Sequence, residues 1–347
     1  MTIKHATHIP PNNNAHMDLQ ILYELIKNEP SFRLKQIKRA LFFDVIEDWD
    51  QATTLPKSLR DDLKDKFPIS IKAECHVSKD NSTTKALITL DDGEKVESVL
   101  MKHGDGRNTV CLSCEVGCPL GCEFCATGKM GFKRNLTYSE IIMQLLFFER
   151  LLKKEKGRVT NAVFMGMGEP FLNYDNVMES IRTMNSEECF NIGARHISIS
   201  TAGLTDGIEK LSKEKLQVNL AISFHAPNDE LRSRLMPINK KYPIGDIMAA
   251  VRKYANATKR KVMFEYVMIS GVNDGEKEAR ELSKLMRHRL FLVNLISYNP
   301  TGLFSPSEGE AIKVFKDILL KNAVSVTQRY KFGVGIDAAC GQLACKK

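Results

Sequence analysis

From residue 109 onward the chain repeats one unit six times: a short, β-branched, apolar segment followed by a longer one with apolar residues at helical spacing. The expected strands are 110–113, 161–167, 196–201, 217–223, 261–268 and 290–298; the expected helices are 138–152, 176–184, 206–213, 244–257, 276–288 and 308–321. Strands apolar on both faces belong in the middle of a parallel sheet. No GxGxxG follows the first strand, which counts against a doubly wound sheet and leaves an α/β parallel barrel or partial barrel. In such a barrel the functional residues gather at the C-terminal ends of the strands.

The preceding hundred residues read differently. Residues 18–43 carry apolar side chains at helical spacing, broken near Pro30, and 55–67 suggests a second short helix. Over 69–101 apolar and polar residues alternate, and Asp91-Asp92-Gly93 interrupts them, indicating a β-hairpin or small antiparallel unit. The expected organisation is a flexible lead (1–17), a helical accessory domain (18–68), a hairpin linker (69–101) and an α/β core (102–347). With 43% hydrophobic and 27% charged residues the chain can fill a core, and neither disorder nor a fibrous repeat fits. Net charge is +8, but residues 1–100 carry −2 and 101–347 carry +10. Basic runs at Lys153–Arg158, Lys240-Lys241 and Lys259–Lys261 suit a phosphate-rich partner, although each is also an ordinary solvated helix end. No segment has the length and apolarity of a membrane span and the first residues lack a secretory apolar block, so a cytoplasmic protein is expected.

Nine cysteines are present, and Cys111, Cys114, Cys118, Cys122 and Cys125 crowd into fifteen residues. An odd, bunched set is not the framework of a secreted domain; it suits metal or redox chemistry. Cys118-Pro-Leu-Gly-Cys122-Glu-Phe-Cys125 directly follows the first expected strand. Structural zinc needs four ligands, usually as two separated pairs, and no second pair exists unless Cys114 is recruited. Three thiolates from one loop suit a cubane iron–sulfur cluster with one iron left open.

The CxxxCxxC with Phe124 before its last cysteine resembles the signature of radical S-adenosylmethionine (SAM) enzymes, and the flanking blocks are similar to those of the RlmN/Cfr adenine methyltransferases. The blocks include Met165-Gly-Met-Gly-Glu-Pro170, Ser198-Ile-Ser-Thr-Ala-Gly203, Ala221-Ile-Ser-Phe-His225, Val272-Asn-Asp274 and Ile336-Asp-Ala-Ala-Cys-Gly-Gln-Leu343, and the likeness runs from about Glu29 to Cys345. The resemblance implies a partial (β/α)6 barrel, a 4Fe-4S cluster on Cys118, Cys122 and Cys125, and two SAM molecules per turnover. It implies SAM contacts from Gly168, Glu169, Ser200, Ser223, Phe224, His225 and Asn299, all near the ends of expected strands.

It also implies a route. Cys340 is first methylated by one SAM, because a thiolate attacks a sulfonium methyl whereas an aromatic adenine carbon bonded to hydrogen does not. A 5′-deoxyadenosyl radical from a second SAM then takes hydrogen from that S-methyl group, and the carbon radical adds to adenine. Glu97 removes the proton from the substituted carbon, and Cys111 attacks the sulfur of Cys340, leaving a disulfide that a thiol reductant reopens. The implied partners are 23S rRNA and tRNA, with an external electron donor; the expected state is a monomer without membrane contact. Methylation at adenine carbon 2 is the RlmN outcome; the alternative is carbon 8, the Cfr outcome, which confers resistance to ribosome-targeting antibiotics. Cys75, Cys114, Cys189 and Cys345 receive no role.

Overall fold

The structure, a computed structural model, describes residues 19–329 and 333–345; the expected lead at 1–17 lies outside the described residues. Helices α1 (Leu19–Ile26), α2 (Ser31–Lys38) and α3 (Lys57–Lys66) form the N-terminal module. The segment expected as one broken helix is α1 and α2, parted at Pro30, and a π-turn at Arg39–Phe43 extends the second. Trp49 is buried there and donates from its indole to the Phe67 carbonyl at 2.8 Å.

Strands β1 (Lys72–Val77), β2 (Thr83–Thr89) and β3 (Lys95–Lys102) follow as an antiparallel meander whose second turn contains Gly93 at φ +83°. Strand β3 then pairs antiparallel with β4 (Asn108–Cys111), so the meander runs into the main sheet without a break. Strands β5 (Glu115–Gly117) and β6 (Phe132–Asn135) form a separate two-stranded ribbon, which the sequence reading did not anticipate. Beyond it come β7 (Asn161–Phe164), β8 (Ile197–Thr201), β9 (Asn219–Ser223), β10 (Val262–Met268), β11 (Phe291–Ser297) and β12 (Val326–Gln328).

From β4 through β7 to β12 every pairing is parallel, and the whole sheet has ten strands in the order β1-β2-β3-β4-β7-β8-β9-β10-β11-β12. Helices α4 (Tyr138–Lys153), α5 (Tyr174–Asn185), α6 (Thr205–Ser212), α8 (Ile244–Thr258), α9 (Glu276–Leu285) and α10 (Gly309–Lys321) return the chain after β4, β7, β8, β9, β10 and β11. A short α7 (Asp229–Leu235) precedes α8. Six βα units therefore build the expected partial barrel, and β12 adds a seventh parallel strand. The first expected strand, 110–113, is observed two residues earlier.

Helix α4 begins where a capping box forms: Thr137 accepts from the Glu140 amide at 3.2 Å while Glu140 accepts from the Thr137 amide at 2.8 Å. The same helix fastens the N-terminal module to the barrel, because buried Arg150 donates to the carbonyls of Ile46 and Ile69. Among the described residues no helix is long and apolar enough to cross a membrane.

Candidate active site

The C-terminal ends of the parallel strands open into one cavity, about 1100 Å³ when the open space out to its mouth is included. Cys111 ends β4, Gly166 to Glu169 follow β7, Ser200 comes from β8, Ser223 and His225 from β9, and Glu265 from β10. Cys118, Cys122 and Cys125 line one wall and Cys340 another.

The cysteine loop leaves β5 and returns through β6. Gly117, at φ +79°, makes the exit: a Cβ there would collide with the Gly131 carbonyl, which instead accepts from the Cys118 amide at 2.9 Å. The three thiols are half-buried. Desolvation pushes Cys118 up to about 12 and Cys122 well above its usual range, so as thiols they pay for burial and as ligands they would be ionised by what they bind. Among the described residues no three His, Cys, Asp or Glu side chains stand as a set for one metal ion. Three soft sulfur donors on one wall of a roomy cavity, without convergence on a point, fit a cluster in which each sulfur takes a different iron.

Opposite the loop, the residues expected to hold SAM divide into two groups. Gly168, at φ +103°, packs so closely on Glu115 that a Cβ would lie 2.6 Å from that side chain. Buried Glu169 accepts from the amides of Phe171 (3.0 Å) and Ala202 (2.7 Å), and its own amide donates to Glu115 at 3.0 Å. Burial holds the Glu169 pKa above the usual carboxylate range. Ser200 and Ser223 meet hydroxyl to hydroxyl at 3.2 Å. His225, at φ +60°, accepts at Nδ1 from the Val267 amide at 3.0 Å, which leaves the ring hydrogen on Nε2. Burial, reinforced by the positive charge of Arg232, pushes its pKa down to about 3 and keeps it neutral. Its ring stands edge-on to Phe124, the aromatic of the cysteine motif, at 4.8 Å.

The other two do not line the cavity. Phe224 turns its ring into the core against Phe264, leaving only its backbone on the site side of the strand end. Asn299 is buried beneath Cys340 and donates to that residue's carbonyl at 3.1 Å.

Residues 337–344 form a strap across the mouth. The Ala126 amide donates to the Gly341 carbonyl at 2.8 Å, and Thr127 donates to the Leu343 carbonyl at 2.6 Å. Cys340, at the crown of the strap, is solvent-exposed; Cys111 is half-buried, and both are free thiols. Desolvation within the cavity raises the Cys340 pKa, although the residue as a whole is exposed, and pushes Cys111 up to about 12, while the charge of Arg329 opposes both effects. Glu97 lies on the cavity side of β3 but behind the strap and outside the cavity lining: it is 1% exposed, pairs with Lys85 at 2.9 Å and accepts from the Ala344 amide at 2.8 Å.

Three site residues were not singled out by sequence reasoning. Arg329, just past β12, faces both thiols and touches the Met165 sulfur at 3.4 Å. Glu265 projects from β10 with one oxygen on Asn294 at 2.8 Å and the other buried without a partner among the described residues. Buried Arg232 donates to the carbonyls of Ala202 (2.6 Å), Ser223 (3.1 Å) and Phe224 (3.1 Å), binding two strand ends under the site. Only its spacing after Asn228, the N-cap of α7, offered any signal for it.

Comparison with known proteins gives a consistent result. Residues 113–283 match the radical SAM superfamily. The chain is 43% identical over 336 residues to a probable dual-specificity RNA methyltransferase RlmN of Dictyoglomus thermophilum, covering 96% of each chain. It is 45% identical to the protein of the same description from Thermotoga maritima, covering 91% of this chain and 92% of that one. The crystal structure of a radical SAM methyltransferase from Sphaerobacter thermophilus superimposes with a TM-score of 0.91 at 44% identity, covering 95% of this chain and 98% of the other.

Proposed function

The chain belongs to the RlmN family of radical SAM RNA methyltransferases, and from that premise we propose that it methylates carbon 2 of an adenosine in 23S rRNA and in tRNA, with Cys340 as the methyl carrier. The observation that carries this reading is the meeting of Cys340 and Cys111, 229 residues apart in sequence, on the cavity that the three loop cysteines also line. Neither a non-catalytic zinc module nor a radical enzyme acting on small molecules needs that meeting.

Cys340 as thiolate displaces the methyl group of a SAM sulfonium: its S–C bond forms as the sulfonium–methyl bond breaks, and S-adenosylhomocysteine leaves. Arg329 is the cation placed to favour that thiolate. Cys118, Cys122 and Cys125 would hold the 4Fe-4S cluster, which together with a second SAM supplies the one-electron cleavage that activates the S-methyl carbon. Gly168 gives close backbone approach for SAM, Glu169 an acceptor for its ammonium group, and Ser200, Ser223 and the Nε2–H of His225 donors and acceptors for its polar groups. The activated carbon bonds to adenine carbon 2, the adduct gives up its unpaired electron, which the cluster would take back, and Glu97 accepts the proton from the substituted carbon. Cys111 then attacks the sulfur of Cys340; the S–S bond forms as the bond from sulfur to the transferred carbon breaks, and that carbon takes a proton to become the methyl group. The disulfide leaves the enzyme two electrons oxidised, so an external thiol reductant closes the cycle.

The test is anaerobic turnover of the iron-loaded enzyme with SAM, a reductant and rRNA or tRNA, followed by nucleoside mass spectrometry. 2-Methyladenosine is expected. 8-Methyladenosine would place the enzyme in the Cfr branch, and absence of either would remove the assigned substrate.

A further inference from the structure

The Lys85–Glu97 ion pair is buried, with the lysine side chain 7% and the glutamate 1% exposed, at 2.9 Å on neighbouring strands β2 and β3. Removing two charges from water is costly, so what else the two partners hold is informative. Both partners make one more bond, and both reach the strap. Lys85 donates to the Asp337 carbonyl at 3.4 Å, at the strap's first residue; Glu97 accepts from the Ala344 amide at 2.8 Å, at its last. Cys340 lies between those two anchors, where the strap's backbone meets Ala126, Thr127 and Asn299 and Gln342 donates to the Pro300 carbonyl at 3.4 Å. Asp337 (φ +50°) and Gly341 (φ +84°) supply the reversals that bring the strap's ends together.

We infer that Lys85 is a positioning residue and that its ion pair with Glu97 is the staple closing the loop that carries Cys340. The inference rests on the proposed roles of Cys340 and Glu97 and adds a coupling between them. The carboxylate expected to take a proton from the substrate is the same group that fixes the C-terminal anchor of the methyl carrier. Each of its oxygens accepts one bond in the docked state, from Lys85 and from Ala344, so the group that takes the proton is also the one that anchors the strap. Once protonated, Glu97 no longer holds Lys85 by charge, and the strap is released as the proton is taken. The other ionisable group facing Glu97 is the Cys345 thiol, which donates to the Lys95 carbonyl at 3.1 Å and is pushed up to about 12 by burial, so it stays neutral.

The experiment uses iron-loaded full-length protein. Hydrogen exchange of the strap amides is followed by mass spectrometry, and iodoacetamide alkylation of Cys340 is measured against that of Cys75, which is exposed on β1, as internal control. Lys85→Met, which keeps length and removes the charge, should accelerate strap exchange and Cys340 alkylation at least fivefold at unchanged iron content; Lys85→Arg should stay within twofold of wild type. Ala344→Pro removes the amide donor, at the cost of a fixed φ, while leaving both ion-pair side chains in place, and should loosen the strap likewise, so misfolding of one variant does not end the test. Unchanged strap protection in either Lys85→Met or Ala344→Pro overturns the staple. Glu97→Gln keeps an acceptor for Ala344 but is neutral like the protonated carboxyl, so it should loosen the strap as Lys85→Met does and abolish RNA methylation; a strap as protected as wild type would overturn the staple, whereas a loosened strap with full methylation would overturn the base assignment and leave the staple standing.

Discussion

At Gly168 a single added methyl group would meet Glu115 at 2.6–2.9 Å and demand a left-handed backbone from an L side chain. Gly168→Ala is expected to cost on the order of 2 kcal/mol and to weaken SAM binding; a melting temperature and SAM Kd equal to wild type would remove the close-approach argument. The cysteines are separable by the same logic. Cys122→Ala should lose most bound iron and sulfide, since it leaves two sulfurs where three are needed, whereas Cys340→Ala should keep the cluster and make no methylated RNA. Iron analysis beside nucleoside mass spectrometry distinguishes them, and full RNA methylation by either variant contradicts its assigned role. That the three loop cysteines share one cavity was legible from their spacing, because that residue type has few other uses in such a bunch. Nothing comparable marked Arg329, because an arginine eleven positions before Cys340 looks like any solvated cation until β12 brings it to the barrel mouth.

Among the elements, α4 depends on its start. Its capping box and the paired contacts of Arg134 with Glu140 (2.8 and 2.9 Å) hold the turn that leads out of β6, so Thr137→Ala should cost about 1 kcal/mol in denaturant unfolding. A change of a few tenths or less would mean the Arg134 contacts suffice. The six βα units were legible because long, periodic helices alternate with short apolar strands, and their ends fall within a few residues of expectation. Strand β12 was not, since Val-Thr-Gln is three residues long and largely uncovered, with no pattern to set it apart from a loop. The ribbon β5–β6 was hidden for a different reason: its strands are separated by the whole cysteine loop, so their pairing is set by Gly117 and Gly131 rather than by local alternation. The antiparallel unit was recognised, but that β3 joins the barrel sheet through β4 is a tertiary fact no alternation encodes.

For the molecule as a whole, two buried groups set opposite pH limits. His225 has a folded-state pKa of about 3 against an ordinary 6.5, so its contribution is present above 6.5 and lost as pH falls toward 3. Glu149, on the buried face of α4, is raised to about 7 by burial from an ordinary 4.5; its contribution is present below 4.5 and lost as pH rises through 7. Glu149→Gln retains an acceptor for the Val159 amide at 3.2 Å and should recover on the order of 2 kcal/mol at pH 8 relative to pH 4.5. Thermal unfolding at the two pH values checks this, and parallel profiles for variant and parent would refute it. Arg232 acts across the barrel: Arg232→Leu strips donors from three buried carbonyls and should destabilise by about 3 kcal/mol or more. Retention of both parental stability and SAM affinity would show those carbonyls satisfied otherwise.

The strap follows β12 in sequence, so translation delivers every parallel strand and all three loop cysteines before Cys340 emerges. A nascent chain can thus lay out its parallel strands and the cysteine loop before the thiol that closes over them has been added.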